Sequence, residues 1–206
     1  MKTVYFFING IATWPGDHKN WNKRAAVWLA LNHPEHHGIL DEYFTTALTV
    51  WINARDRAED FADLLRQFKG WRIVIVAHSN GCHVAVEALK IAHEVQVQVL
   101  HLVAGAVDAN FARNGLNWML KKAQVGKVCV YRGGRDHAMR ICSLLAGKVL
   151  FNIGLDDKPL GLSGAFNVDQ FVSDRVAEYV EPKYGHSTWW KPENFDRTMK
   201  LFKIHP

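Results

Sequence analysis

Residues 72–89 read RIVIVAHSNGCHVAVEAL, in which a short apolar strand runs directly into an amphipathic helix. Ser79 lies at the join, with the small residue Ala77 two positions before it and Gly81 two positions after it. This pattern at a strand-to-helix turn is typical of a nucleophile elbow, which lifts the serine hydroxyl clear of the sheet. The turn also points the first N–H groups of the helix at a reacting carbonyl. The simpler alternative is that Ser79 only caps the helix.

Outward from this turn, apolar strands alternate with helices along the whole chain. We predict strands at residues 2–9, 42–52, 71–77, 95–103, 127–131 and 173–180, and helices at 21–32, 55–68, 81–93, 114–124, 138–150 and 192–202. Strands that are apolar throughout indicate a parallel sheet that is covered on both faces. The sequence therefore predicts an α/β fold with a mostly parallel sheet of about six strands, flanked by helices on both faces, in one domain over residues 1–206.

Composition narrows the class of protein. The net charge of +5 is dispersed along the 206 residues, and no run of like charges marks a nucleic-acid-binding arm. The longest apolar runs are strand-sized and fall short of the roughly 18 residues that a membrane span needs. The first apolar run is too short for a signal peptide. The three cysteines, Cys82, Cys129 and Cys142, cannot all form disulfides and do not have the spacing of metal ligands. We expect a cytoplasmic protein that acts on a small molecule; no signal of an oligomeric state is present.

A serine hydroxyl needs a positioned base before it can attack a carbonyl. His186 is the candidate base, because it follows the last strand in a loop with a preceding glycine, whereas His78 and His83 are expected to point in other directions. The base in turn needs a carboxylate to orient it. Asp136 follows the strand at 127–131, so it is expected at the carboxyl edge of the sheet, where sites in parallel sheets assemble. Asp108 is the alternative carboxylate.

Ser79, Asp136 and His186, in this chain order on alternating strands and helices, resemble the α/β-hydrolase superfamily over essentially the whole chain. The resemblance implies an oxyanion hole made of two backbone N–H groups, which map to Asn80 and to Ile11 in the loop after the first strand, with Ala12 as the alternative to Ile11. It further implies a serine hydrolase that works through an acyl-enzyme, with no metal or cofactor and with a carboxylic ester as the expected bond. A thioesterase, amidase or peptidase with the same triad stays open, as does a hydrolase-like binding domain without turnover.

The chain departs from the family pattern in places. Ala77 stands where the family most often has glycine, and alanine is small enough for the tight turn. About 23 residues separate the strand end at 103 from the strand start at 127, which leaves little room for a lid and implies a minimal, capless enzyme. Trp14, Trp118 and Trp189, together with Trp190, are candidate walls of a shallow opening.

Residues 33–37 read HPEHH and contain side chains that are competent to bind a metal. They lack the helical i, i+4 histidine pair with an intervening glutamate that marks a zinc protease. We interpret the segment as the polar end of a helix.

Overall fold

Six strands form a single sheet in the computed structural model, which describes residues 2–10, 20–41, 50–141, 143 and 158–202. The strand order is β2-β1-β3-β4-β5-β6, and every neighbouring pair is parallel. The strands are β1 (Thr3–Ile8), β2 (His37–Asp41), β3 (Arg72–His78), β4 (Val97–Val103), β5 (Val125–Gly133) and β6 (Val176–Glu181). The predicted fold class is confirmed.

Helices cover both faces of this sheet, as the apolar strands require. They are α1 (Trp21–Asn32), α2 (Val50–Gln67), α3 (Gly81–Ile91), α4 (Leu116–Lys121), α5 (Leu160–Ser163) and α6 (Pro192–Leu201), with a further helical turn at residues 137–141. Single 3-10 turns lie at Ser173–Arg175 and Thr188–Trp190. Among the residues described above, no helix is both long and apolar enough to cross a membrane.

Successive side chains of each strand point to opposite faces of the sheet, so the strands contribute to two separate hydrophobic cores, one on each face. One face packs against α2, α3 and α4, and its buried residues are mainly Val, Ile, Leu and Ala. The other face packs against α1 and α6 and holds most of the buried Trp and Tyr side chains. We refer to these as the aliphatic face and the aromatic face.

The second strand is where the sequence prediction fails. A strand was expected at residues 42–52, but β2 is formed by His37–Asp41, and residues from Val50 onward belong to α2. Residues 42–49 lie outside the described part of the chain. β2 is an edge strand that pairs only with β1, so its exposed side tolerates a polar composition. The β-branched residues Val50 and Ile52 favour a strand locally, but α2 incorporates them.

Candidate active site

The carboxyl ends of the central strands meet at one edge of the sheet. His78 at the end of β3 is in register with Val103 at the end of β4, and Val103 is in register with Tyr131 of β5. Gly133 at the end of β5 is likewise in register with Glu181 at the end of β6. The loops that leave these strands therefore start side by side, which is where a parallel sheet places its site residues.

Ser79 occupies a tight turn between β3 and α3 and has a left-handed backbone conformation, with φ of 56°. For a residue with a side chain this conformation costs about 1–2 kcal/mol. Neighbouring backbone groups hold it: the Ser79 N–H donates to the carbonyl of Val103 at 3.0 Å, and the Ser79 carbonyl accepts from Cys82 at 3.1 Å and Ala106 at 3.0 Å. The strained turn therefore depends on the loop after β4 as well as on α3.

Three side chains from three different strand ends form a hydrogen-bonded chain at this edge. The Oγ of Ser79 lies 2.9 Å from Nε2 of His186, and Nδ1 of His186 lies 3.0 Å from Oδ2 of Asp136. The Asp136 carboxylate is completely buried, and its other oxygen accepts a 2.9 Å bond from the N–H of Met139. An ionised carboxylate only accepts, so Nδ1 of His186 carries the proton and Nε2 is left to accept from the serine hydroxyl.

The loops that carry Asp136 and His186 are tied directly to each other. The N–H of Arg135 donates to the carbonyl of Tyr184 at 2.9 Å. Gly133 lies so close to the same carbonyl that a Cβ at this position would be 2.3 Å from its oxygen, so only glycine fits there. The separation between the carboxylate and the imidazole is thus set by backbone contacts.

The alternative carboxylate, Asp108, is engaged within its own loop. One oxygen accepts a 2.8 Å bond from the N–H of Asn110, which is a local turn interaction, and the other lies 3.2 Å from Nε of Arg113. The structure therefore brings Asp136, and not Asp108, into hydrogen-bond contact with His186.

The two expected oxyanion donors are placed differently. Asn80 is buried and immediately precedes α3, so it lies next to Ser79 at the start of the helix. Ile11 lies outside the described residues, but Gly10 before it lies against the serine: a Cβ on Gly10 would be 2.5 Å from the Ser79 Cβ and 3.1 Å from its Oγ. The chain that leaves β1 therefore passes directly over Ser79.

His78 contacts the candidate site in a way that the sequence did not suggest. Its Nε2 lies 3.1 Å from the carbonyl oxygen of His186, and its ring lies edge-on to Trp190 and to Trp21. Burial, with a smaller effect of the neighbouring His186, lowers the pKa of His78 to about 3. The ring is therefore neutral near pH 7, and its Nε2–H donates to the His186 carbonyl. The sequence predicts that His78 points in another direction, because no local pattern reveals a partner 108 positions away.

Of the tryptophans expected as pocket walls, the structure describes Trp118, Trp189 and Trp190. Trp189 is fully buried and packs edge-on against Tyr131 and Tyr184, so it belongs to the core instead of an opening. Trp118 is half exposed on α4. Gly115 directly precedes α4 and lies close to the Lys90 side chain. Lys90 is near the C-terminal end of α3, and that end is about 16 Å from Ser79. Trp14 lies outside the described residues.

Comparison with known proteins identifies a family. Residues 12–159 match the family described as an alpha/beta hydrolase of unknown function (DUF900), whereas no curated protein matches the chain.

Solved structures share the fold at low sequence identity. The esterase RhEst1 from Rhodococcus sp. ECU1013 is 11% identical, with a TM-score of 0.58 over 97% of this chain and 88% of that one. Alpha/beta hydrolase domain-containing protein 10 from mouse is 14% identical, with a TM-score of 0.55 over 96% and 87%. The NocB thioesterase domain is 14% identical, with a TM-score of 0.54 over 98% and 94%.

Proposed function

Because the chain belongs to the family of alpha/beta hydrolases of unknown function (DUF900), we propose that it is a serine hydrolase that cleaves an acyl bond in a small molecule, with a carboxylic ester as the expected substrate. The observation that carries the proposal is the chain of contacts from Ser79 through His186 to Asp136, at 2.9 and 3.0 Å. Both distances are within the range of hydrogen bonds between a nucleophile, its base and the orienting acid.

The proposed reaction has two halves. Ser79 Oγ attacks the ester carbonyl while Nε2 of His186 takes its proton, and the imidazolium then protonates the departing alcohol. Water attacks the resulting acyl-enzyme with the same base, which releases the acid and restores the serine. Asp136 stabilises the imidazolium, and its complete burial makes that interaction stronger than it would be in water.

The negative charge that develops on the carbonyl oxygen needs donors that are already in place. We assign this role to the backbone N–H groups of Asn80 and Ile11. Two features support the assignment: Asn80 directly follows the serine, and Gly10 packs against the Ser79 side chain. Each donor contributes about 3 kcal/mol of transition-state stabilisation in enzymes of this type.

A fluorophosphonate probe tests the nucleophile, because it reacts covalently with an activated serine. We expect the wild-type protein to be labelled and Ser79→Ala to lose both labelling and, on the order of a millionfold, turnover. Ser173→Ala is the matched control. This serine is exposed and its hydroxyl donates to the Gln170 carbonyl at 3.0 Å, so the substitution should leave labelling unchanged. An unlabelled wild-type protein, or equal labelling of Ser79→Ala, would favour a hydrolase-like binding domain without turnover.

The orienting carboxylate is tested by comparing two isosteric substitutions. Asp136→Asn is expected to lower kcat/KM by about 10⁴-fold, because the amide favours the wrong imidazole tautomer. Asp108→Asn should change kcat/KM only a few-fold, since its partners are Asn110 and Arg113. Inactivation by Asp108→Asn alone would show that the acid is wrongly assigned.

The class of bond is tested with matched substrates. We expect p-nitrophenyl esters of rising acyl length to be turned over faster than the corresponding anilides and thioesters. Preferential cleavage of the thioester or the anilide would replace the esterase assignment by a thioesterase or amidase with the same triad.

A further inference from the structure

A tight turn at residues 33–36 joins α1 to the edge strand β2 at the amino end of the sheet. The N–H of His33 bonds to Leu29 at 2.7 Å and so ends α1, and the N–H of His36 bonds to the His33 carbonyl at 3.0 Å. These bonds place the two histidine side chains on the same side of the turn. Their rings are nearly parallel, with an interplanar angle of 12° and centroids 5.8 Å apart.

The carboxylate of Glu35 lies between the two imidazoles. Its Oε1 is 3.6 Å from Nδ1 of His33 and 3.4 Å from Nε2 of His36, and one donor atom from each residue falls within 4.8 Å of the others. A tetrahedral ion with bonds of about 2.1 Å holds its ligands about 3.4 Å apart. The two distances from Glu35 therefore already match metal coordination.

Neighbouring side chains hold the two rings in position. The His36 ring packs against the buried Tyr5 ring at 5.5 Å, and the His33 ring packs against Trp28 at 5.7 Å. The Glu35 side chain is 61% exposed, so it can adjust to a bound ion without disturbing the core. The last turn of α1 has no basic residue, so the negative end of the helix dipole lies beside the cluster with no lysine or arginine of that turn to neutralise it.

We propose that His33, Glu35 and His36 form a binding site for a divalent transition-metal ion of the zinc class, with water as the fourth ligand. Two imidazoles and one carboxylate suit such an ion better than Ca²⁺ or Mg²⁺, which prefer sets of oxygen ligands. The spacing i, i+2, i+3 in a turn differs from the helical i, i+4 pattern of zinc proteases, so the sequence alone predicts only the polar end of a helix.

The ion is structural, because it lies far from the candidate active site. α1 begins at Trp21, beside His78, and its 12 residues span about 18 Å before the turn begins. An ion held by His33 on one side and His36 on the other joins the end of α1 to the start of β2. It therefore fastens the edge strand of the sheet without contacting Ser79, and the inference does not depend on the proposed hydrolase activity.

Calorimetric titration of the metal-free protein with zinc chloride tests the site. We expect one ion per chain in the wild-type protein and at least about tenfold weaker binding in His36→Ala and in Glu35→Gln, each of which removes one of three protein ligands. His93→Ala is the matched control, because His93 is an exposed histidine whose Nδ1 lies 3.8 Å from Oε2 of Glu94. Among the residues that the structure describes, this pair belongs to no group of three metal-competent side chains. The His93→Ala variant should bind zinc like the wild-type protein.

Thermal unfolding separates loss of the site from loss of the fold. Without metal, Glu35→Gln should have the same melting temperature as the wild-type protein, because the Glu35 side chain is exposed. With zinc, the wild-type protein and His93→Ala should melt at a higher temperature and Glu35→Gln should not, since only binding to the folded state raises stability. Absence of saturable zinc binding in the wild-type protein, or binding as tight as wild type in both Glu35→Gln and His36→Ala, would overturn the proposal.

Discussion

The aliphatic and aromatic faces of the sheet are built on the same strands but differ in what they do. On the aliphatic face only Phe6, Phe61 and Phe111 of the buried cluster are aromatic, and the rest fill space without polar atoms in their side chains, apart from the sulfur-containing ones. On the aromatic face more than half of the buried cluster is Trp, Tyr or Phe. An aliphatic core stabilises the fold by filling the interior with closely packed side chains. The rings of Tyr and Trp do the same, and their polar atoms and preferred ring geometries also orient the neighbouring side chains.

The aromatic face connects the core to the candidate site. Trp21 of α1 stacks on Trp190 at 3.9 Å, and the edge of each ring meets His78, which holds the carbonyl of His186. The guanidinium of Arg24 binds the Trp190 carbonyl at 2.9 Å and so ties α1 to the loop after β6. The comparison indicates that changes on the aliphatic face should alter stability, and that changes near His78 should alter the chemistry.

Truncation on the aliphatic face is expected to have the largest effect on stability. Leu89 on α3 is completely buried, so Leu89→Ala should lower the free energy of unfolding by about 2–5 kcal/mol, measured by urea denaturation. The folded fraction should keep the kcat/KM of the wild-type protein. Leu31→Ala, at a position 78% exposed on α1, is the control and should change stability by less than about 0.5 kcal/mol. A large fall in kcat/KM for folded Leu89→Ala would contradict the separation of the two faces.

Acid should destabilise the protein through histidines buried on the aromatic face. Burial lowers the pKa of His101 to about 3, as it does that of His78. In the unfolded chain both titrate near 6.5. As the pH falls from about 6.5 toward 3, the unfolded state therefore binds protons that the folded state does not, and the free energy of unfolding decreases by up to about 1.4 kcal/mol per pH unit for each histidine.

Urea denaturation across this pH range measures whether the free energy of unfolding decreases as the pH falls and whether the buried histidines cause the decrease. His101→Phe should reduce the slope of stability against pH, because one buried titrating group is gone. His93→Ala, at an exposed histidine, should leave the slope close to that of the wild-type protein. The same slope in His101→Phe as in the wild-type protein would show that these histidines do not control acid stability.

His78→Phe is expected to have a small effect on stability and a distinct effect on turnover. The ring is kept and one hydrogen bond is lost, so the free energy of unfolding should change by about 1 kcal/mol. Because the His186 loop loses an anchor, kcat should fall about tenfold while KM changes less than about twofold. His101→Phe makes the same exchange where the partner is Tyr131, and it should leave kcat unchanged. Equal kcat values for the two variants would show that His78 does not position His186.

The sequence predicts the elements correctly where the local pattern of residues and the tertiary contacts favour the same structure. β3 is a continuous apolar run and α3 follows it with helical spacing, so the turn at Ser79 was placed correctly. β2 was misplaced because an edge strand that begins His37-Gly38 lacks that pattern, while the β-branched start of α2 imitates it. Pairing with β1 determines β2, and pairing is not a local property.

In the candidate site, too, some placements could be predicted from the sequence and others depend on tertiary contacts. Chain order pointed to Ser79, Asp136 and His186, and the structure brings their side chains into contact. The positions of His78 and Trp189 were not predictable, because each depends on how the loop after β6 folds back over the sheet. The roles of these residues in catalysis remain the proposal that the labelling and kinetic experiments test.

The location of β6 at the edge of the sheet has a consequence for synthesis of the protein. Ser79 and His186 are 107 positions apart, and a ribosome adds about 5–20 residues per second, so on the order of ten seconds pass between their appearances. During that interval the turn at Ser79 lacks its hydrogen-bond partner His186. Under the proposed function, turnover would begin only after β6 has docked, so the onset of turnover would report the last step of folding.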